Sequence, residues 1–150
     1  MAFVNRIRTI LFKGFLRITE FKFRHIYGMH LGEGVRISRG ARLDRTNPRG
    51  VHIGDYTAIT SGAAVLTHDF PNRMWKDTHI GSHCFLGFNC IVLAGVKVGD
   101  HCIVSPNSVV ARDVPPNSVV MGNPAKVVEQ NIVTGKWGIR LDKGNDTPVV

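Results

Sequence analysis

The feature that most constrains this chain is a repeat of six residues. Between residues 31 and 110, aliphatic side chains recur at steps of six in four groups of three. A compact residue commonly follows four positions later, and residues i and i+4 of an extended chain point to the same side. A fixed short period of this kind predicts a solenoid, in which each coil buries its inward side chains against its neighbours. The repeat positions are Leu31, Ile37, Leu43, Ile53, Ile59, Val65, Ile80, Leu86, Val92, Val98, Val104 and Val110.

Three sides of six residues make one coil of a triangular prism, so the four groups predict about four coils of parallel strands. We therefore predict an all-β solenoid, a parallel β-helix of hexapeptide repeats. An amphipathic α-helix would need steps of three and four instead. Cys84, Cys90 and Cys102 occupy compact inward positions, where we expect buried, unpaired thiols. Three cysteines without a close pair favour a reducing, cytoplasmic setting over a disulfide framework.

The repeat is interrupted twice, by extra residues that follow Leu43 (44–50) and Val65 (66–79). Both interruptions come after the third member of a group. Both loops should therefore leave the same corner of the prism, one coil apart, and the short loop should lie beside the long one. Loops on a rigid scaffold often carry function, and the long loop opens with the pair His68–Asp69.

The last part of the repeat resembles a known family. The segments Asp113–Asn117 (DVPPN) and Gly122–Lys126 (GNPAK), together with the repeat, resemble the hexapeptide-repeat acyltransferases of the galactoside, maltose and xenobiotic acetyltransferase branch. In size and in the His-Asp loop, the chain is most similar to short bacterial enzymes that acetylate capsule, colanic acid or lipopolysaccharide. The resemblance covers about residues 31–130. It implies a left-handed β-helix, a homotrimer with active sites between neighbours, and acetyl transfer from acetyl-CoA to a hydroxyl of a carbohydrate acceptor.

By its position in the motif, His68 corresponds to the general base of that family. The chemistry requires such a group, because a sugar hydroxyl is a weak nucleophile at neutral pH and an imidazole can accept its proton. We expect an acidic side chain or a carbonyl to hold the ring, with Asp69 and Asp77 as the acidic candidates. His79, which closes the loop, is expected to support the site through a substrate contact.

The resemblance also implies a groove for acetyl-CoA between coils. Lys126 is expected at a CoA phosphate, whereas Pro106 has no N–H to donate. Arg45 and Arg49 of the short loop are expected to contact an acidic or phosphorylated acceptor. No metal is expected, because no histidines have the spacing of zinc ligands. The residues that the resemblance assigns to acetyl-CoA are Phe85, Gly87, Ser105, Pro106, Ala111 and Lys126.

Positive charge is concentrated at the N-terminus, where residues 1–30 contain six Lys and Arg residues against the single acid Glu20, in a chain of net charge +8. Apolar residues at steps of three and four predict an amphipathic helix there. The helix either caps the open end of the prism or contacts an anionic membrane through residues 1–27. No nucleic-acid-binding motif accompanies the charge. We expect a cytoplasmic protein, or one peripheral at the inner face of the membrane.

These patterns divide the chain into a basic helix (1–28), a catalytic β-helix (29–122) with the loop 66–79, and a C-terminal arm (123–150). The arm is expected to pack on a neighbouring chain or to lack fixed structure at its end. Two other functions remain open from the sequence: an N-acyltransferase that acts on an amino sugar, and a β-helix scaffold without catalytic activity.

Overall fold

The computed structural model describes the backbone of residues 2–143, and the side chains of this range apart from those of residues 2–5 and 12. An α-helix, α1 (Ala2–Phe21), and a π-helical turn (Lys22–Ile26) precede a long series of short strands. The expected arm beyond residue 143 lies outside the described residues. No helix within residues 2–143 is long and apolar enough to cross a membrane.

The strands form the three faces of a prism, and along each face the successive coils pair in parallel. The first face contains β1 (His30–Leu31), β4 (Val51–Ile53), β9 (Thr78–Ile80) and β12 (Lys97–Val98). The second contains β2 (Arg36–Ile37), β5 (Ala58–Ile59), β10 (Phe85–Leu86), β13 (Ile103–Val104) and β15 (Ser118–Gly122). The third contains β3 (Arg42–Leu43), β6 (Ala64–Val65), β11 (Ile91–Val92) and β14 (Val109–Val110).

The register of these strands is the one that the six-residue period predicts. Each aliphatic repeat position lies directly beside the corresponding position of the next coil, so the parallel β-helix and its four coils are confirmed. The aligned sets are Leu31, Ile53, Ile80 and Val98 on the first face, Ile37, Ile59, Leu86 and Val104 on the second, and Leu43, Val65, Val92 and Val110 on the third.

The inward side chains form one continuous core along the prism axis, and every aliphatic repeat position is buried. Cys84, Cys90 and Cys102 are fully buried and free, as expected. Burial raises the pKa of the Cys90 thiol to about 12. This thiol is therefore protonated at neutral pH and packs as a small apolar side chain.

The close stacking of coils explains the glycines that follow several repeat positions. A Cβ at Gly81 would lie 2.6 Å from the backbone nitrogen of Asp100 in the next coil. Neighbouring strands are only about 4.8 Å apart, so the added Cβ would clash with the backbone of the next coil. Glycine is thus required at this corner by the approach of the next coil.

The first coil is closed by the segment that links α1 to β1. Phe23 and Met29 are buried there and join the core, and the N–H of Met29 donates to the carbonyl of Phe23 (3.0 Å). The helix α1 itself lies against β2. The cap expected from the sequence is therefore made by residues 23–29, whereas much of the apolar surface of α1 is exposed.

The C-terminal region folds back along its own prism. After an antiparallel hairpin of β15 with β16 (Ala125–Gln130), residues 131–143 cross the turns between the first and second faces. Trp137 donates its backbone N–H to Tyr56 (2.6 Å) and its indole N–H to Gly34 (2.9 Å). The guanidinium of Arg36 stacks 3.1 Å from the centre of its ring. The described part of the arm thus joins coils of its own chain.

Candidate active site

The two interruptions of the repeat lie side by side at the end of the third face. The short loop contains a 3-10 turn (Pro48–Gly50), and the long loop forms a hairpin of β7 (His68–Asp69) with β8 (Met74–Trp75). Asn47 and Thr67 join the loops, because each side chain bonds the other's backbone carbonyl, at 3.1 and 2.6 Å. This confirms the juxtaposition that counting the repeat predicted.

A buried carboxylate from the short loop holds His68. The side chain of Asp44 is only 3% exposed, and its Oδ2 atom lies 2.5 Å from Nδ1 of His68. The same Oδ2 accepts the backbone N–H groups of Thr67 (2.8 Å) and His68 (3.1 Å), and Oδ1 accepts that of Thr46 (2.9 Å). Both the loop and the ring are therefore oriented by a single acid.

The charge of Asp44 follows from these contacts. Burial alone would raise the pKa of this carboxyl, but the N–H of Thr67, the ring of His68 and the N–H of Thr46 together lower the pKa to about 2. Asp44 is thus ionised at neutral pH and can only accept hydrogen bonds. Since an acceptor faces Nδ1 of His68, the proton of the neutral imidazole resides on Nδ1. The lone pair is then on Nε2, which is free to act as a base.

The structure does not place the expected acids against the ring of His68. Asp69 accepts the side-chain amide of Asn72 (2.6 Å) within the hairpin, and Asp77 lies 3.5 Å from His52. His79 stacks on His52, with ring centres 4.3 Å apart. The expectation that Asp69 or Asp77 holds the ring is therefore corrected in favour of Asp44.

His68 lies between two open cavities, of about 450 and 590 Å³. Phe70 and Pro71 line both of them. Asp69 also lines both. Residues of the two loops complete the first cavity, and residues beside the third face complete the second: the first adds Thr46, Arg73 and Trp75, and the second adds Leu66, Leu93, Ala94 and Ala111. Phe70 and Trp75 are 85% and 70% exposed, so two aromatic rings stand free beside the histidine.

Among the residues assigned to acetyl-CoA, Ala111 lines the larger of the two cavities beside His68. Gly87, Ser105 and Pro106 lie at the corner between the second and third faces, where the N–H of Ser105 donates to Val120 (2.9 Å). Their proposed role in cofactor binding stays a prediction.

The other two cofactor candidates lie on or above the second face. Phe85 is half-buried beneath Gly138 of the arm, and Lys126 is exposed on β16. Neither lines the cavities beside His68.

The two arginines assigned to the acceptor point toward the N-terminal segment. The guanidinium of Arg45 lies 5.5 Å from the ring centre of Tyr27, and the side chain of Arg49 passes beside Gly28. An acceptor contact by either stays a prediction. Across residues 2–143, no three His, Cys, Asp or Glu side chains are grouped to hold a metal ion.

Comparison with known proteins agrees with this architecture. The family described as bacterial transferase hexapeptide (six repeats) matches residues 77–112. Protein CapG of Staphylococcus aureus is 37% identical over 123 residues, which cover 75% of this chain and 71% of that protein. This chain belongs to the hexapeptide-repeat transferase family. The predicted family, the left-handed β-helix fold and the acyltransferase class of enzyme are thereby confirmed.

A second similar protein and a solved structure extend the comparison. Nodulation protein L of Rhizobium meliloti (strain 1021) is 39% identical over 110 residues, but the match covers only 60% of that protein and 67% of this chain. The crystal structure of a maltose O-acetyltransferase from Clostridium difficile 630 superposes with a TM-score of 0.59 at 22% identity, over 74% of this chain and 73% of that one. The likeness to the solved structure is a likeness of fold.

Proposed function

We propose that the protein is an acetyl-CoA-dependent O-acetyltransferase that modifies a hydroxyl of a sugar or surface-polysaccharide precursor. The observation that carries the proposal is the pair of His68 and the buried, ionised Asp44 beside open cavities. A general base held in one tautomer by a buried acid is what deprotonation of a weakly acidic hydroxyl requires. The shared fold with an enzyme named for O-acetylation of maltose supports a sugar as acceptor.

The proposed reaction is a direct transfer. Nε2 of His68 takes the proton of the acceptor hydroxyl as its oxygen attacks the thioester carbonyl of acetyl-CoA. The new C–O bond gives a tetrahedral oxyanion, which a backbone N–H stabilises. The C–S bond then breaks, and the imidazolium returns the proton to the departing thiolate, so the products are an acetyl ester and free CoA thiol.

Asp44 acts in this scheme as a positioning residue. Its charge stabilises the imidazolium that forms during the attack, and its acceptor contact with Nδ1 directs Nε2 outward. Because the carboxylate has a pKa of about 2, it keeps its charge across the pH range in which the enzyme would work. It does not itself exchange a proton with the substrate.

The positions of the cofactor candidates favour a site shared between copies of the chain. Phe85 lies on the second face and Pro106 at the corner beyond it, whereas His68 projects from the end of the third face. Within residues 2–143, neither Phe85 nor Pro106 lines the two cavities beside His68. We therefore include the homotrimer in the proposal, with His68 and Ala111 from one copy and Phe85 and Pro106 from its neighbour.

A thiol-release assay tests the proposed function. The purified protein is given acetyl-CoA and a panel of sugars and lipid-linked oligosaccharides, and the product is analysed by mass and by treatment with mild base. We expect acceptor-dependent thiol release and a base-labile ester. A base-stable amide product would instead identify an N-acyltransferase of amino sugars. Thiol release no faster than in protein-free controls, for every acceptor, would favour the scaffold function.

A further inference from the structure

The helix α1 exposes a continuous apolar stripe. Ile7, Ile10, Leu11, Ile18 and Phe21 are between 43% and 69% exposed. At about 100° per residue, these five side chains fall within an arc of roughly 100° on one side of the helix. Gly14 lies in the same arc, and a Cβ added there would meet no atom within 4 Å. Nothing in the described chain covers this side of α1.

A different side of α1 faces the prism. Phe15, Leu16 and Thr19 are partly buried, and the helix lies against β2. On the helical wheel these residues are displaced by roughly 90–170° from the centre of the exposed arc. The stripe is therefore a second apolar surface of α1, additional to the one that packs on the β-helix.

Exposed cations flank the stripe. Lys13 and Arg17 lie along one edge and Arg8 beyond the other, while Lys22 follows the end of the helix. Glu20, the only acid of residues 2–29, is paired with Arg24 at 2.8 Å. The guanidinium of Arg45 and the ammonium of Lys22 both approach the ring of Tyr27, at 5.5 and 5.8 Å, so the basic surface continues past the helix onto the short loop.

The positive charges that flank the stripe indicate which kind of partner this surface binds. A second copy of the stripe would bring two sets of cations together, on chains that already carry a net charge of +8 each. An anionic bilayer satisfies both features at once, since acyl chains receive the apolar residues and headgroups receive Lys and Arg. We propose that α1 lies in the interface of a membrane containing anionic lipid, with its stripe of Ile7, Ile10, Leu11, Ile18 and Phe21 inserted. This inference is independent of the proposed acetyl transfer.

Vesicle flotation of the full-length protein tests the proposal. One set of vesicles contains phosphatidylcholine with about 30 mol% phosphatidylglycerol, and the other contains phosphatidylcholine alone. We expect the protein to float with the anionic vesicles, and binding to weaken in high salt because the cations are screened. Failure to bind anionic vesicles at low salt would overturn the proposal.

Two pairs of variants separate the apolar and the basic contributions. Lys13→Gln with Arg17→Gln should lower the partition coefficient about fivefold for each charge, since one Lys or Arg near anionic lipid contributes about 1 kcal/mol. Leu11→Ser with Ile18→Ser should lower it tenfold or more, because inserted apolar area is lost.

The matched controls are Lys97→Gln with Arg112→Gln and Ile139→Ser with Leu141→Ser, which change exposed side chains elsewhere. These controls should bind like the wild type, and circular dichroism should show the same fold for all variants. If controls and test variants lose binding equally, α1 is not the membrane surface.

Light scattering adds a second readout: if Leu11→Ser with Ile18→Ser splits the oligomer, the stripe is an interface between copies and the proposal fails.

Discussion

Replacing Asp44 by Asn tests the role of the buried acid while preserving its shape. The amide oxygen can take the place of Oδ2, which faces the ring of His68 and the N–H groups of Thr67 and His68. The amide NH₂ must then face the N–H of Thr46, which loses its acceptor. The substitution therefore keeps the orientation of the ring but removes the negative charge beside it.

The contacts of Asp44 set the expected effects of the substitution on kcat/KM and on folding stability. A charge-assisted hydrogen bond contributes about 1.5–3 kcal/mol, so loss of the charge that stabilises the imidazolium should lower kcat/KM by about 10- to 100-fold. The pKa of Asp44 falls from 3.8 to about 2 on folding. Such a lowering corresponds to about 2 kcal/mol of folding stability at neutral pH. Because the folded pKa is lowered, this contribution is complete above about pH 4 and is lost as the pH falls toward 2.

The assay combines thiol-release kinetics with denaturant unfolding at a series of pH values. Asp100→Asn is the matched control, since Asp100 likewise accepts a backbone N–H, that of Ser82 (2.7 Å), but is exposed at the corner between the first and second faces and lines neither cavity beside His68. We expect the control to keep kcat/KM within about twofold, because no charge next to the ring changes. The reasoning is refuted if Asp44→Asn retains wild-type kcat/KM, or if its unfolding free energy declines between pH 4 and 2 as steeply as that of the wild type.

Further predictions concern the prism and its core. Val92→Ala should lower the unfolding free energy by about 2–3 kcal/mol in a denaturant titration, because Val92 is fully buried, whereas exposed Val128→Ala should change it by less than about 0.5 kcal/mol. Gly81→Ala should destabilise the fold by about 1–3 kcal/mol through its clash with the next coil. Gly14→Ala, in open space on α1, should instead raise helix stability by up to about 1 kcal/mol. Cys90 should react with a thiol reagent at pH 8 only after denaturant is added; labelling of the native protein at the rate of a free thiol would contradict its burial.

The period of the sequence was sufficient to predict the fold because it specifies the register directly. A six-residue step places Leu31, Ile53 and Ile80 on the same face, one coil apart, and the structure pairs them in that order. The interruptions were equally informative. Counting from Leu43 and Val65 placed both loops at one corner without any knowledge of their conformation.

The partner of His68 could not be predicted in the same way. Asp44 precedes it by 24 residues and belongs to the coil below, so no local spacing connects the two. Asp69 and Asp77 are nearer in sequence, but the hairpin turns the first toward Asn72 and the second lies beside His52. The available signal was the stacking of corners, since Asp44 follows the repeat residue Leu43 as Leu66 follows Val65.

The C-terminal arm shows a similar limit. Trp137 bonds Gly34, which is 103 residues earlier, and stacks with Arg36. Without a repeat in the arm, the sequence carries no information on which coil it contacts. For α1, the sequence left two alternatives open, a cap on the prism or a membrane contact, because an amphipathic pattern shows that a helix has an apolar side and does not show what covers it.

The most direct test of the central claim is the kcat/KM of His68→Ala for acetyl transfer, with the affinity for CoA measured in parallel by calorimetry. His25→Ala is the control, since His25 is exposed on the N-terminal segment. Loss of a general base should lower kcat/KM by about 10²- to 10⁴-fold with CoA affinity unchanged, while the control remains active. Acetyl transfer by His68→Ala within a few-fold of the wild type would show that another group removes the proton.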